Sequence, residues 1–337
     1  MAPLLAADRP LPETQSLSAA QYNLVLYFLV VAAFALFASF LYSWTSRNEV
    51  SARYRPAVLA SLIITAVATV SYVVLILKVD SGYDRVGASY RPNPEALLTF
   101  APRYMDWSVT VPLLTVELLA VCAVAGAAAR SLRFRTMAAA FLMIITGYLG
   151  AHVVDEGAST AALWIWGIVS TVFYAYLYVA LWRAMSSSVS SMGEEAGASL
   201  RNATILLLSV FGVYPLAYAA RVFFEGAEVT TGLQIAFSVA DITAKVGFGA
   251  LIHKVAKLRT AEDLRSGEET HPEPIWISNV RKAEALQPSV KSVASLSRFE
   301  QVDLSALEPH DDGASAGPSV VEAAGPRSGN GTATGRV

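Results

Sequence analysis

One cysteine, Cys122, stands in a chain of 337 residues. A single thiol excludes an intrachain disulfide and any multi-cysteine metal site, and inside an apolar run it is expected to serve packing. Charge is scarce as well. Asp, Glu, Lys and Arg make up 15% of the residues against 54% hydrophobic, a balance too apolar for a soluble domain and expected of an integral membrane protein surrounded by lipid. The 25 basic and 27 acidic residues nearly cancel and no basic cluster dominates, so nucleic acid is not an expected partner. The first 19 residues carry Pro, Asp and Glu and lack a basic stretch followed by an apolar core, so no signal peptide is expected and the first spanning helix would direct insertion.

Present instead are seven apolar segments of spanning length, since about 20 residues at 1.5 Å rise cross the hydrocarbon layer. They run roughly from Gln21 to Trp44, Pro56 to Val79, Tyr104 to Ala129, Thr136 to Val154, Thr160 to Trp182, Asn202 to Phe224 and Thr230 to Val255. The expected fold is an all-α membrane protein, a bundle of seven transmembrane helices. Arg47, Arg53 and Arg55 fall between the first two segments, Arg130, Arg133 and Arg135 between the third and fourth, and Lys254, Lys257 and Arg259 after the seventh. Basic loops favour the cytoplasm, which puts the N-terminus outside and the C-terminus inside. Residues 1–20 are thus an outer segment, 21–259 the seven-helix body, and 260–337 a cytoplasmic tail. The tail is rich in Ser, Pro, Gly, Glu and Ala and is expected to be disordered. Its apolar cluster Ile275-Trp276-Ile277 either docks on a partner or the membrane surface or is a transient helix without a role.

Two sets of polar groups interrupt the apolar segments. Asp241 and Lys245 are four apart, one turn apart on one helix face. Each charge costs roughly 2.5–3.5 kcal/mol at the centre of a membrane helix, so their presence marks that face as a site. The third segment carries Arg103, Asp106, Thr110 and Glu117 on one stripe, with Asp106 and Glu117 about 16 Å apart along the axis. Intramembrane acids can pair with Arg or Lys merely to hold helices together. Glu117, however, has no evident cationic partner at its depth and is expected to be neutral at rest. A neutral acid at one level and a charged acid at another are what a stepwise proton carrier needs.

The run Arg103-Tyr104-Met105-Asp106-Trp107-Ser108-Val109-Thr110-Val111-Pro112-Leu113-Leu114 resembles the third-helix signature of microbial rhodopsins. Asp241-Ile242-Thr243-Ala244-Lys245-Val246-Gly247-Phe248-Gly249 resembles their seventh-helix retinal attachment signature. Trp166-Gly167-Ile168-Val169-Ser170-Thr171 is similar to the fifth helix and Tyr214-Pro215-Leu216-Ala217-Tyr218 to the sixth. The resemblance implies all-trans retinal on Lys245 as a protonated Schiff base, with Asp106 as counterion and proton acceptor and Asp241 as second counterion. Arg103 would balance their charge and Thr110 would hydrogen-bond Asp106. The set Asp106, Thr110 and Glu117 resembles outward proton pumps of the bacterial proteorhodopsin and xanthorhodopsin-like groups, in which Glu117 would return a proton from the cytoplasm. It does not resemble the sodium or chloride pumps. The bacterial plasma membrane is the implied location, and a trimer or pentamer the implied assembly. The rival reading is a photosensor that signals through the tail or a separate transducer.

Retinal needs an apolar, aromatic pocket, for which Trp107, Trp166, Tyr214, Pro215 and Tyr218 are the candidates. Leu114 resembles the residue of green-absorbing members. Gly167 is similar to a position that opens a side window for a carotenoid antenna, although a small residue serves helix packing equally well. The chain also departs from the family pattern. Ser71 precedes Tyr72 where many proteorhodopsins have His, and Phe211 replaces a common Trp. Leu233 and its neighbours provide no inner release carboxylate, which leaves Glu225, Glu228 or no dedicated group. His152 is expected to be structural and His253 a boundary residue.

Overall fold

The computed structural model describes residues 11–285, so most of the expected tail and the first ten residues lie outside the described residues. Seven helices are long and apolar enough to cross a membrane: α1 (Ala19–Ser46), α2 (Arg55–Gly82), α3 (Pro102–Val121), α4 (Gly126–Gly157), α5 (Thr160–Val189), α6 (Glu194–Phe223) and α7 (Ala227–Ser266). Consecutive helices pack side by side and α7 returns against α1, which closes the ring. The expected seven-helix bundle is therefore present. With backbone hydrogen bonds satisfied inside each helix, the outward faces can carry apolar side chains such as Phe34, Phe134 and Leu216 towards lipid.

Local chemistry sets the helix ends and irregularities. Ser18 and Gln21 form a reciprocal capping box at the start of α1, satisfying two backbone donors. α4 closes with a π-helical turn, Leu149–Val153, and α6 is interrupted at Gly212, between Glu194–Phe211 and Val213–Phe223. Pro215 supplies no N–H for the carbonyl of Phe211, which accounts for that break. α7 widens into a π turn over Thr243–Gly247, around Lys245. Such turns recur at functional sites because they redirect a side chain without ending the helix.

Several boundaries differ from the hydropathy reading. The third segment was expected to reach Ala129 and the fourth to begin at Thr136, but α3 ends at Val121 and α4 starts at Gly126. The connection Cys122–Ala125 is itself apolar, so hydropathy does not mark it; Gly126, at φ +66°, makes the reversal. Arg130, Arg133 and Arg135 consequently lie within the first turns of α4 and not in a loop. α5, α6 and α7 also extend into polar sequence, because the hydrogen-bond ladder continues past the hydrocarbon-length part that hydropathy detects.

Small β elements cover both ends. On the side that carries the N-terminus, β1 (Leu17–Ser18), β2 (Tyr83–Val86) and β3 (Ser89–Pro92) form an antiparallel sheet in the order β1-β3-β2. Tyr22 of α1 stacks on Tyr90 of β3, with ring centroids 3.8 Å apart. A single helical turn, Pro12–Thr14, is tied down nearby: Tyr83 donates its hydroxyl to the Glu13 carbonyl at 3.1 Å, and Thr230 donates to the Pro12 carbonyl at 3.2 Å.

At the opposite side the expected tail boundary at residue 260 is corrected. α7 continues to Ser266, and β4 (Ile275–Ile277) pairs with β5 (Val280–Ala283) in a hairpin. Ile275 is buried with Ala261, Leu264 and Ala283, so the apolar cluster docks on the chain's own helix as a strand. Polar ties fasten the same region. Tyr54 donates to Asp263 at 2.7 Å, Arg259 donates to the Tyr54 hydroxyl at 3.1 Å, and Lys282 donates to Glu195 at 2.7 Å. Composition hides this because only alternate strand residues face the helix. Ile275→Ala should remove that anchor at a cost of about 2–5 kcal/mol to local stability. Hydrogen exchange of Ala261 to Ser266 should accelerate; unchanged exchange would show that the strand does not hold the helix end.

Candidate functional site

The π turn of α7 faces the buried stripe of α3, and there the sequence-predicted charges meet. Lys245 places Nζ 2.5 Å from Asp106 Oδ2 and 3.3 Å from Asp241 Oδ2. Arg103 lies 3.7 Å from Asp241 through Nη1. All four residues are at most 3% exposed. Two carboxylates and two cations sum to zero, so charges that would be prohibitive singly compensate one another in a low-dielectric interior.

The two carboxylates are held differently. Asp241 accepts from Tyr72 Oη at 2.9 Å, Trp107 Nε1 at 3.1 Å and Tyr214 Oη at 2.6 Å. Asp106 accepts from Lys245 alone, and its Oδ1 is buried without a hydrogen-bond partner among the described residues. Three neutral donors therefore satisfy the Asp241 carboxylate in addition to its contact with Lys245. Asp106 has one donor and a spare oxygen, which makes it the carboxylate able to take up a proton. Thr110 does not reach that oxygen; it donates to the backbone carbonyl of Asp106 at 3.0 Å.

Arg103 is fixed from three sides. Its Nε donates to Gln234 Oε1 at 3.1 Å, Nη1 to Tyr72 Oη at 2.9 Å and Nη2 to Ser238 Oγ at 3.3 Å, and the guanidinium lies over the rings of Tyr72 and Phe237. Tyr72, Gln234 and Ser238 escaped the sequence reading as site residues. Gln234, Ser238, Asp241 and Lys245 recur at helical spacing in an apolar segment, so that polar stripe was available as a signal. Ser71, in contrast, donates to the Pro102 carbonyl at 3.3 Å.

Beside the charges lies an apolar cavity lined by residues of α3 to α7, among them Tyr104, Trp107, Phe211, Tyr214, Pro215, Tyr218 and Phe237. Trp107 packs edge-on against Tyr214 and Phe237, at centroid distances of 4.9 Å and 5.3 Å. Trp107 and Tyr214 are the shared wall, since both line the cavity and both donate to Asp241. Among the described residues the lining includes neither Trp166 nor Leu114. The Cβ of Trp166 lies against α4, where a Cβ on Gly150 would come within 2.7 Å of it, and Leu114 is buried in the main core. Gly167 does line the cavity. A Cβ there would lie 2.8 Å from Cε1 of Tyr218, so the missing side chain admits that ring. Trp164 and Ile168 carry the lining to the exposed flank of α5. His152 also lines this cavity, edge-on to Tyr104 at 5.2 Å.

Glu117 sits deeper towards the C-terminal side. It is 1% exposed, and both carboxyl oxygens lack a hydrogen-bond partner among the described residues. Gly249 of α7 makes this fit possible: a Cβ there would lie 2.7 Å from Ser61 Oγ and 3.4 Å from Glu117 Oε1. A second cavity, of about 340 Å³, is lined by Glu117, Ser61, Gly249, Ser43, Tyr42 and His253. At His253, Nε2 is 3.3 Å from Oε2 of Glu49, which also accepts from Lys257 at 2.9 Å.

This arrangement has recognisable relatives. The green-light absorbing proteorhodopsin of Gamma-proteobacterium EBAC31A08 is 27% identical over 243 residues, covering 71% of this chain and 88% of that protein. The crystal structure of thermophilic rhodopsin superposes with a TM-score of 0.69 at 27% identity, covering 74% of this chain and 98% of that one. Xanthorhodopsin, described as a light-driven ion pump with dual chromophore, gives a TM-score of 0.66 at 29% identity, with the same coverage of 74% and 98%. A family model described as bacteriorhodopsin-like protein matches residues 23–258, which reach from α1 into α7. The chain therefore belongs to the bacteriorhodopsin-like family and is a rhodopsin of the microbial type.

Proposed function

We propose that the protein is a light-driven outward proton pump that holds all-trans retinal on Lys245. The observation that carries this reading is the contrast between the two carboxylates beside Lys245. Asp241 is saturated with donors, whereas Asp106 touches Nζ at 2.5 Å and keeps a spare oxygen. The residues fit the chromophore: a buried amine adjoins compensating carboxylates, and Trp107 and Tyr214 join them to an apolar, aromatic-walled cavity. Retinal bound at Nζ as a protonated Schiff base would absorb light and change the hold of that nitrogen on its proton.

Each residue's part follows from its position. Asp106 accepts the proton from Nζ through Oδ2. Asp241, held by Tyr72, Trp107 and Tyr214, remains charged and keeps the site balanced. Glu117, neutral in its unpartnered burial, is the reservoir that returns a proton to Nζ, and the cavity reaching His253 supplies its path of refilling. Direction follows from depth, because acceptor and donor lie at different levels of α3. We place the side bearing the N-terminus outside and the Tyr54–Asp263 side in the cytoplasm of a bacterial cell, as Arg53, Lys254, Lys257 and Arg259 favour. A carotenoid at Gly167 is less favoured, because the Tyr218 ring already uses the space that a side chain would take.

Lys245→Ala should leave a folded protein that forms no coloured pigment with all-trans retinal; a normal visible band from that variant would refute the attachment. Asp106→Asn should shift absorption to the red and reduce the light-driven photocurrent to background, and a wild-type photocurrent would remove Asp106 from the path. Glu117→Gln should slow recovery of dark absorption after a flash by about 100-fold at neutral pH, with a permeant weak acid restoring the rate. Unaltered recovery would assign reprotonation elsewhere.

A further inference from the structure

An outward pump can pass the proton from Asp106 to the outside through a dedicated group, and the places where sequence looked for one do not supply it. Gln234, next to Leu233, is an amide engaged with Arg103 and cannot carry a proton as an acid. Glu225 and Glu228 are exposed. A buried acid does reach this region, from outside the seven helices. Glu13, in the turn Pro12–Thr14, is 3% exposed and lines the same cavity as Arg103, Tyr104, Arg221 and Gln234. Its Oε2 is buried without a hydrogen-bond partner among the described residues. The backbone around it is pinned by Tyr83 and Thr230, so the carboxyl is held in place by the cap.

An acid serving only as a plug is expected to be neutralised by a close cation or replaced by an apolar side chain. Glu13 forms no contact ion pair among the described residues, and Arg221 is the cation near enough to act on its carboxyl. Burial raises its proton affinity, and Arg221 at the end of α6 partly offsets that by attraction. The other titratable and charged groups around it are Tyr83 after α2, Tyr104 and Arg103 on α3, and His152 at the end of α4. No second carboxylate lines this cavity among the described residues.

We propose that Glu13 is the proton release group of this pump, an acid contributed by the N-terminal segment to the outer end of the path from Asp106. The assignment rests on the outward-pump reading. In one cycle Nζ gives a proton to Asp106, and Glu13 gives one to external water. Glu117 then gives one to Nζ and takes one from the cytoplasm, and Asp106 finally returns its proton to the Glu13 carboxylate. Every group is restored and one proton has crossed. The coupling is electrostatic. The transfer moves one positive charge from Nζ onto Asp106 and leaves the quartet neutral overall, so the coupling to Glu13 runs through that displacement of charge beside Arg103, which shares the cavity with Glu13, and not through a change in net charge.

The test uses the full-length, retinal-loaded protein with a water-soluble pH-indicator dye and a laser flash. Wild type should release a proton before it takes one up. Glu13→Gln should delay release by about tenfold or more, until after uptake, while Glu13→Asp retains early release. Independently of light, the dark infrared spectrum at neutral pH should contain a protonated carboxyl band that Glu13→Gln removes and Glu13→Asp shifts, in the pigment and in the retinal-free protein alike. If Glu13→Gln fails to form pigment, the carboxyl band carries the test, through its loss from retinal-free Glu13→Gln and its shift in Glu13→Asp. Wild-type release timing in Glu13→Gln, or no carboxyl band assigned to Glu13, would overturn the proposal. A wild type that moves no proton at all would instead show that the pump reading itself had failed.

Discussion

The contact between Lys245 and Asp106 is the constraint on which the rest of this molecule depends. A primary amine buried to 1% exposure in a membrane-spanning helix must be compensated where it stands, and the compensation recruits residues from four helices. Asp106 comes from α3 and Asp241 from α7, Tyr72 from α2 and Tyr214 from α6 complete the shell of Asp241, and Arg103 restores neutrality. The π turn at Thr243–Gly247, the break at Gly212 and the glycine at 249 are backbone concessions close to this cluster. Removing any single charge would leave another buried and unpaired, which is why the quartet is better regarded as one unit than as two salt bridges.

Function arises from the unequal bonding within that unit. A symmetric cluster would share an incoming proton between its carboxylates. Here Asp241 accepts from three neutral donors besides the amine, whereas Asp106 accepts from the amine alone, through Oδ2, and keeps Oδ1 unpartnered among the described residues. Along the bundle axis the acids are then ordered by surroundings: Glu117 without a hydrogen-bond partner among the described residues beside a mostly apolar cavity, Asp106 in contact with the amine, and Glu13 under the cap. A chain of sites in which each holds its proton differently, separated by apolar packing, moves protons in one direction only if the central site changes its affinity. Absorbed light is the change this account assigns to Lys245.

Much of this was legible in the sequence because charges are conspicuous in apolar helices. Asp241 and Lys245 at four-residue spacing, and Arg103, Asp106 and Glu117 on one stripe, give the site without coordinates, and apolar length gives the seven spans. Neutral hydrogen-bonding partners were harder to see. Tyr72 looks like ordinary aromatic packing until the donors on Asp241 are counted, and Thr110, which the resemblance made a hydrogen-bond partner of Asp106, bonds its backbone carbonyl. Boundaries failed where loops are apolar, as at Cys122–Ala125, and where helices run on through polar sequence, as α7 does to Ser266.

The central claim is that Lys245, Asp106 and Glu117 form a light-driven outward path for protons. It is tested most directly by recording the external pH of an unbuffered suspension of retinal-supplied cells that make the protein, in light and in dark, with and without a protonophore. The account predicts acidification in light that the protonophore abolishes. No pH change from a coloured, folded pigment would contradict pumping and turn the reading towards a photosensor, and protonophore-sensitive alkalinisation would contradict the direction assigned to Asp106 and Glu117.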